Sequence, residues 1–337
     1  MSTHRLRPIL VGAIAIWVAS AAGGHADDGP HVVADIAPVA SLVARVMDGV
    51  GTPDQIVQPG ASPHGYALRP SEASALERAD AIFWVGPELT PWLEDAIDTV
   101  APDAEVTRLL HAPGTSVLDF REGPRFDAGS AGHAGDHGHS QGADAPAAQG
   151  REQGRAPGAE REGHDHSGDD PHAWLDPDNA KAWLSVIAGV LSRLDPANAA
   201  IYEANAEGGQ AEIDAADDEI ALLLAPLKGA RFVVFHDAYH YFEHHFGLPA
   251  AGAIAEGDAA DPGPARIEVV RGMIRDLEVG CVLSEPALNP AAVATAIEGS
   301  AARAGVIDPL GAGISPGPGF YPALLRDVAS RLIACAG

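Results

Sequence analysis

From His31 to about Arg193 the chain alternates short apolar runs with amphipathic stretches. Val32–Ile36 reads as a buried strand and Pro38–Met47 as a helix with one apolar face. Gln55–Gln58 reads as a strand, Ser71–Arg78 as a helix, Ala81–Val85 as a strand, Pro91–Asp98 as a helix and Glu105–Leu109 as a strand. Asp176-Pro177 supplies a good cap and first-turn pair for a helix running toward Leu194. The rhythm then repeats. Arg231–Phe235, Ala250–Ala255, Cys281–Ser284 and Val306-Ile307 read as strands. Asp237–Phe246, a stretch from Asp261-Pro262 to Leu277, Pro290–Ala302 and Tyr321–Ala334 read as helices. Strands that alternate with helices predict an α/β chain of two lobes, each a parallel sheet flanked by helices.

Two stretches break the pattern. Between Asp195 and Leu227, Ile201, Ile213, Ile220 and Leu224 recur near helical spacing, and Pro226 and Gly229 end the run. One long rigid helix over 195–228 is expected to join the lobes, although Gly208 and Gly209 each weaken a helix by about 1 kcal/mol relative to alanine. A helical spine hinges poorly, so small domain motions are expected. Residues 127–170 are rich in Gly, Ala, Asp, Glu and Gln and almost free of large apolar side chains, which predicts a disordered loop. It carries His133, His137, His139, His164 and His166 among acidic residues. These make either a loose auxiliary metal-capture segment or a solvated insertion without a role.

The first residues add a compartment. Arg5 and Arg7 precede an apolar run from Ile9 to Ala22 and small residues through Gly24-His25-Ala26. This is the pattern of a signal peptide over residues 1–26, with Ala19-Ser20-Ala21 as an alternative cleavage site. The run is short for a spanning helix, which needs about 20 apolar residues. The chain is therefore expected in the periplasm, with an N-terminal lobe over 27–194 and a C-terminal lobe over 229–337, each long enough for its own core. In an exported protein, Cys281 and Cys335 are expected to form a structural disulfide rather than a redox pair, since no CxxC spacing is present. Against 47 acidic residues stand 21 basic ones, a formal net charge of -26, which excludes nucleic acid as a plausible partner.

Three histidines stand where a strand or loop hands over to a helix: His64 in Ser62-Pro63-His64-Gly65, His172 in Asp170-Pro171-His172-Ala173-Trp174, and His236 after Val233-Val234-Phe235. Asp308 follows Val306-Ile307 in the same way. Ligands of open parallel sheets bind beyond the carboxyl ends of the strands, so these residues are expected to converge in the cleft between the lobes. Three neutral imidazoles and a carboxylate suit Zn2+ better than calcium or magnesium. Each residue has a plainer reading: a histidine beside a proline is most often a surface group, and an aspartate before Pro309 can simply cap a turn. Glu285 also ends a strand and can serve as a loop anchor or a group behind a ligand. His240 and His244 share a predicted helix face with His236 and are expected to be mainly exposed, with an auxiliary metal site as the alternative.

Read in order, the segments around His64, His172, His236 and Asp308 resemble the periplasmic zinc-binding proteins of ABC transporters, the ZnuA type within the metal-binding cluster of solute-binding proteins. The resemblance covers nearly all of the chain after the leader. It implies a two-lobed monomeric protein, without enzymatic activity, that carries Zn2+ to a membrane permease. By position His64, His172 and His236 match the family's histidine ligands. Some members supply a glutamate just before the first histidine, where this chain has Pro63; others use an aspartate matching Asp308, and water can also fill the position. Asp308 is taken as the fourth ligand. The family usually has glycine where His240 stands. A secreted zinc hydrolase is the rival from another class, but no HExxH helix is present and Glu285 is the one candidate base. A metal-binding surface adhesin on the same scaffold is the second rival.

Overall fold

The structure, a computed structural model, describes residues 29–121, 123–126, 168–255, 262–286, 288 and 290–337. The leader over 1–26 and the auxiliary histidines His133, His137, His139, His164 and His166 lie outside the described residues.

The first sheet holds β1 (Val32–Ala34), β2 (Asp54–Gln55), β3 (Ala81–Trp84) and β4 (Glu105–Arg108), all parallel, in the order β2-β1-β3-β4. Its helices are α1 (Ala37–Val46), α2 (Pro70–Glu77) and α3 (Pro91–Val100). Two longer helices follow, α4 (Pro177–Leu194) and α5 (Ala199–Leu224). The second sheet is β5 (Phe232–Val234), β6 (Cys281–Ser284) and β7 (Arg303–Val306), again parallel and in that order. It is accompanied by α6 (His240–Phe246), α7 (Pro264–Asp276), α8 (Pro290–Ile297) and α9 (Phe320–Ala336).

Strand periodicity explains the packing. Val32, Ala34, Ala81 and Phe83 in the first sheet, and Phe232, Val234, Cys281 and Leu283 in the second, all point into one core. Their strand neighbours Val33, Ile82 and Trp84 point into a smaller cluster under α2 and α3, and Val233 and Val282 into another under α7 and α8. Each lobe thus has a small core of its own, and a larger one is shared between them. The inner faces of both sheets share one core, which α1, α4, α5 and α9 fill. Alternation marks both faces of these strands as buried but does not say which helices cover them.

The spine is a single helix, as the long apolar period predicts. Tyr202, Ala206, Gly209, Ile213, Ala216, Ile220 and Leu224 form its buried stripe. A Cβ at Gly209 would stand 3.0 Å from both Arg45 Cγ and Leu184 Cδ1, so the glycine that weakens the helix lets α4 and α1 approach it. Cys281 and Cys335 are joined, tying β6 to α9 with Cα atoms 5.5 Å apart.

Ala250–Ala255 is not a strand of the sheet, although it runs beside β5. Val234 exchanges hydrogen bonds with Gly252 and Ile254, while Pro124 and Phe126 of the first lobe bond Ala253 and Ala251 from the other side. A Cβ on Gly252 would lie 2.0 Å from the Pro124 carbonyl oxygen. The helix expected from Asp237 begins only at His240. Gly168, Asp169 and Asp170, assigned above to a disordered loop, belong to the ordered structure: Asp169 bridges Asp119 and Asp170 is fully buried. Composition could not reveal this, because Asp170 is buried by partners distant in sequence.

Candidate metal centre

The carboxyl ends of β5, β6 and β7 deliver His236, Glu285 and Asp308 to one end of the second sheet. The first lobe supplies His64 from the loop after β2, and His172 from the turn before α4. All five line one interlobe cavity of about 60 Å3, closed further by Trp174, Pro286 and Pro309. That volume suits an ion with a few waters.

His172 and His236 are 3 % and 4 % exposed, and their Nε2 atoms face each other at 3.5 Å. Two nitrogens bound to one tetrahedral zinc at about 2.0–2.1 Å would stand about 3.3 Å apart. The His64 ring is 5.8 Å from that of His172, centroid to centroid. Its loop is anchored where Trp92 Nε1 donates to the Pro63 carbonyl at 2.7 Å. Asp308 is half-buried, and its carboxylate oxygens accept the Leu310 and Ala312 N–H groups at 2.9 and 2.7 Å. These bonds fix its loop, as the plainer reading of Asp308 requires, yet each carboxylate oxygen keeps a further lone pair.

Behind the ligand candidates stand two carboxylates. Asp170 Oδ1 is 2.7 Å from His172 Nδ1, and Glu285 Oε1 is 2.7 Å from His236 Nδ1. Burial alone would raise the Asp170 carboxyl, but His172 and then His240 outweigh it and hold it at about 2. Burial, reinforced by the Glu285 and Asp308 charges, keeps the Tyr239 phenol well above its ordinary range. Asp170 was missed in the sequence; the available signal was its place two residues before a candidate ligand, where its side chain also accepts the His172 backbone N–H at 3.0 Å. Arg121 was missed too. It leaves the first lobe to pair with Asp237 (Nε to Oδ2, 2.9 Å) and with Glu243 (2.6 Å), next to His236. Trp174 Nε1 donates to the Pro309 carbonyl at 2.9 Å, a second tie across the cleft beside Asp308.

His244 is exposed, as expected, whereas His240 is half-buried with Nδ1 3.7 Å from Asp170 Oδ2. Among the described residues, one set of three metal-capable side chains has all donor atoms within 4.8 Å of one another: Asp176, Asp178 and His245. The described cleft residues form no such triple.

Comparison with known proteins decides the family. The profile of the family described as "ZnuA: Zinc-uptake complex component A periplasmic" matches residues 32–335. The chain belongs to this family. It is 43% identical over 309 residues to the high-affinity zinc uptake system protein ZnuA of Paracoccus denitrificans, covering 91% of this chain and 92% of that one. It is 44% identical over 309 residues to the protein of the same name from Brucella abortus, covering 90% and 91%. A crystal structure of ZnuA superposes with a TM-score of 0.70 at 21% identity, covering 92% of this chain and all of that one. The family's members are zinc-binding transport components rather than enzymes, so the hydrolase reading falls. The chain is a zinc-binding component of a periplasmic ABC-type zinc uptake system.

Proposed function

We propose that this protein captures Zn2+ in the interlobe cleft through His64, His172 and His236, with Asp308 as the fourth ligand, and hands it to a membrane permease. Zinc is cargo here, held without covalent chemistry. The observation that carries the reading is the 3.5 Å separation of two nearly buried imidazole nitrogens, close to what a shared tetrahedral zinc needs. His64 and Asp308 line the same cavity and complete the set. The leader over residues 1–26 exports the chain, which acts as a monomer, and relatives named as high-affinity uptake proteins support tight binding.

Zinc titration against a competing chelator tests the assignment. His64→Ala, His172→Ala and His236→Ala are each expected to abolish tight binding, and Asp308→Asn to weaken it by about tenfold. Wild-type affinity in all three histidine variants would eliminate the site. Removal of residues 127–167 is expected to leave the tight site intact and lower the total zinc bound, through loss of His133, His137, His139, His164 and His166. An unchanged stoichiometry would refute metal capture by that segment.

A further inference from the structure

We propose that Asp170 is a positioning residue for zinc capture: it fixes His172 as the tautomer whose Nε2 lone pair points into the cleft, and it is itself held in place by the second lobe. The inference rests on the assignment of His172 as a ligand. Asp170 has no exposed surface. A carboxylate can only accept, and its Oδ1 lies 2.7 Å from His172 Nδ1. The single proton of a neutral imidazole is thereby drawn to Nδ1, which leaves Nε2 bare. That bare nitrogen is the one facing His236 Nε2.

Asp170 does not hold itself. Its backbone N–H donates to the Leu118 carbonyl at 2.8 Å, and its carbonyl accepts the Tyr241 hydroxyl at 2.7 Å. The same hydroxyl accepts the Leu118 N–H at 2.9 Å, closing a small ring of bonds. Tyr241 lies in the first turn of α6, beside His240, whose Nδ1 faces the second Asp170 oxygen at 3.7 Å. A first-lobe ligand is thus aimed by the carboxylate of a residue whose backbone is bonded to a second-lobe helix. The orientation of His172 is therefore coupled to the docking of the two lobes. His240 adds a cation-capable group on the far side of the same carboxylate, at a position where the sequence resemblance led us to expect glycine.

A purely structural role is the competing account, since Asp170 also accepts the His172 backbone N–H. The two separate by tautomer and by coupling. In the metal-free wild-type chain labelled with 15N in its imidazoles, long-range 1H–15N spectra are expected to show His172 protonated at Nδ1 and bare at Nε2. The Nε2–H form in the wild type would overturn the proposal without any variant. Asp170→Ala removes the one oxygen, Oδ1, that faces both the His172 backbone N–H and Nδ1, so nothing is left to draw the ring proton to Nδ1. It is expected to move His172 toward the Nε2–H form and to weaken zinc binding about 10–100-fold. In a His172→Ala background the same change is expected to cost less than about twofold, because there is no ring left to aim. An equal loss with and without His172, or unchanged affinity with an unchanged tautomer, would overturn the proposal. Full zinc affinity in His172→Ala alone would instead remove the ligand assignment, while the spectra would still report whether Asp170 fixes the ring.

Discussion

Two histidine–carboxylate clusters lie a few residues apart along the chain, and they use the same side chains for opposite ends. In the cleft, His172 and His236 each have a carboxylate behind Nδ1 and turn Nε2 toward the other ring. At the N-terminus of α4, His245 has a carboxylate at both ring nitrogens: Asp176 Oδ1 at 3.3 Å from Nδ1 and Asp217 Oδ1 at 2.9 Å from Nε2. Asp176 first, opposed by burial and helped by Asp217, raises the His245 imidazole to about 9. His245 is therefore an imidazolium near neutral pH, with no lone pair to offer. It is the cation of its cluster, and Lys181, 2.8 Å from Asp178, is another. The clustering of three donor groups within 4.8 Å at Asp176, Asp178 and His245 is thus satisfied without a metal. Proximity of histidine and acid does not by itself make a metal site.

The largest contrast between the clusters concerns zinc. Zinc held by about four ligands at about 10–16 kcal/mol leaves about 3 kcal/mol for each, or a hundredfold in affinity. His236→Ala is expected to lose at least that, and His245→Ala to stay within about twofold of wild type. Thermal unfolding checks this on the folded protein. Excess zinc raises the melting temperature of wild type and His245→Ala alike, by the mass-action stabilisation of a ligand bound only to the native state, and raises that of His236→Ala by clearly less, since a hundredfold weaker affinity removes about 2.7 kcal/mol of that stabilisation. A zinc-induced shift that disappears in His245→Ala would reverse the comparison.

How these clusters look from the sequence depends on whether their partners are local. His64, His172, His236 and Asp308 could be picked out because each follows a recognisable strand or precedes a capped helix. The parallel sheets and the long spine were legible because their apolar periods are strong and unbroken by proline. Asp170 was not legible: it sits at the end of a polar stretch, and what buries it are Leu118, Tyr241 and His240, from segments far away. The role of His245 was hidden for the same reason, since Asp176, Asp217 and His245 come from different helices or their caps. The shared core was also out of reach, because Val234 and Leu283 look equally buried whether they face their own lobe's helices or the common ones.

The smallest effect we expect separates the clusters by pH. The His245 imidazole is raised to about 9, above the ordinary value of about 6.5 that it regains on unfolding. The folded state therefore binds its proton more tightly than the unfolded chain does. The stabilisation is complete below about pH 6.5 and is lost as pH rises through 9. Solvent reaches the Asp217 side chain, 23% exposed, and Asp178, 65% exposed, so screening reduces the contribution to about 1–2 kcal/mol. Urea unfolding of metal-free wild type and His245→Gln at a series of pH values measures it. The variant is expected to be less stable near pH 6, with the two curves converging by about pH 10. A difference that stays constant across this range would mean that His245 stabilises by packing against Phe246, whose ring is 4.7 Å away, rather than as the resident cation of its cluster.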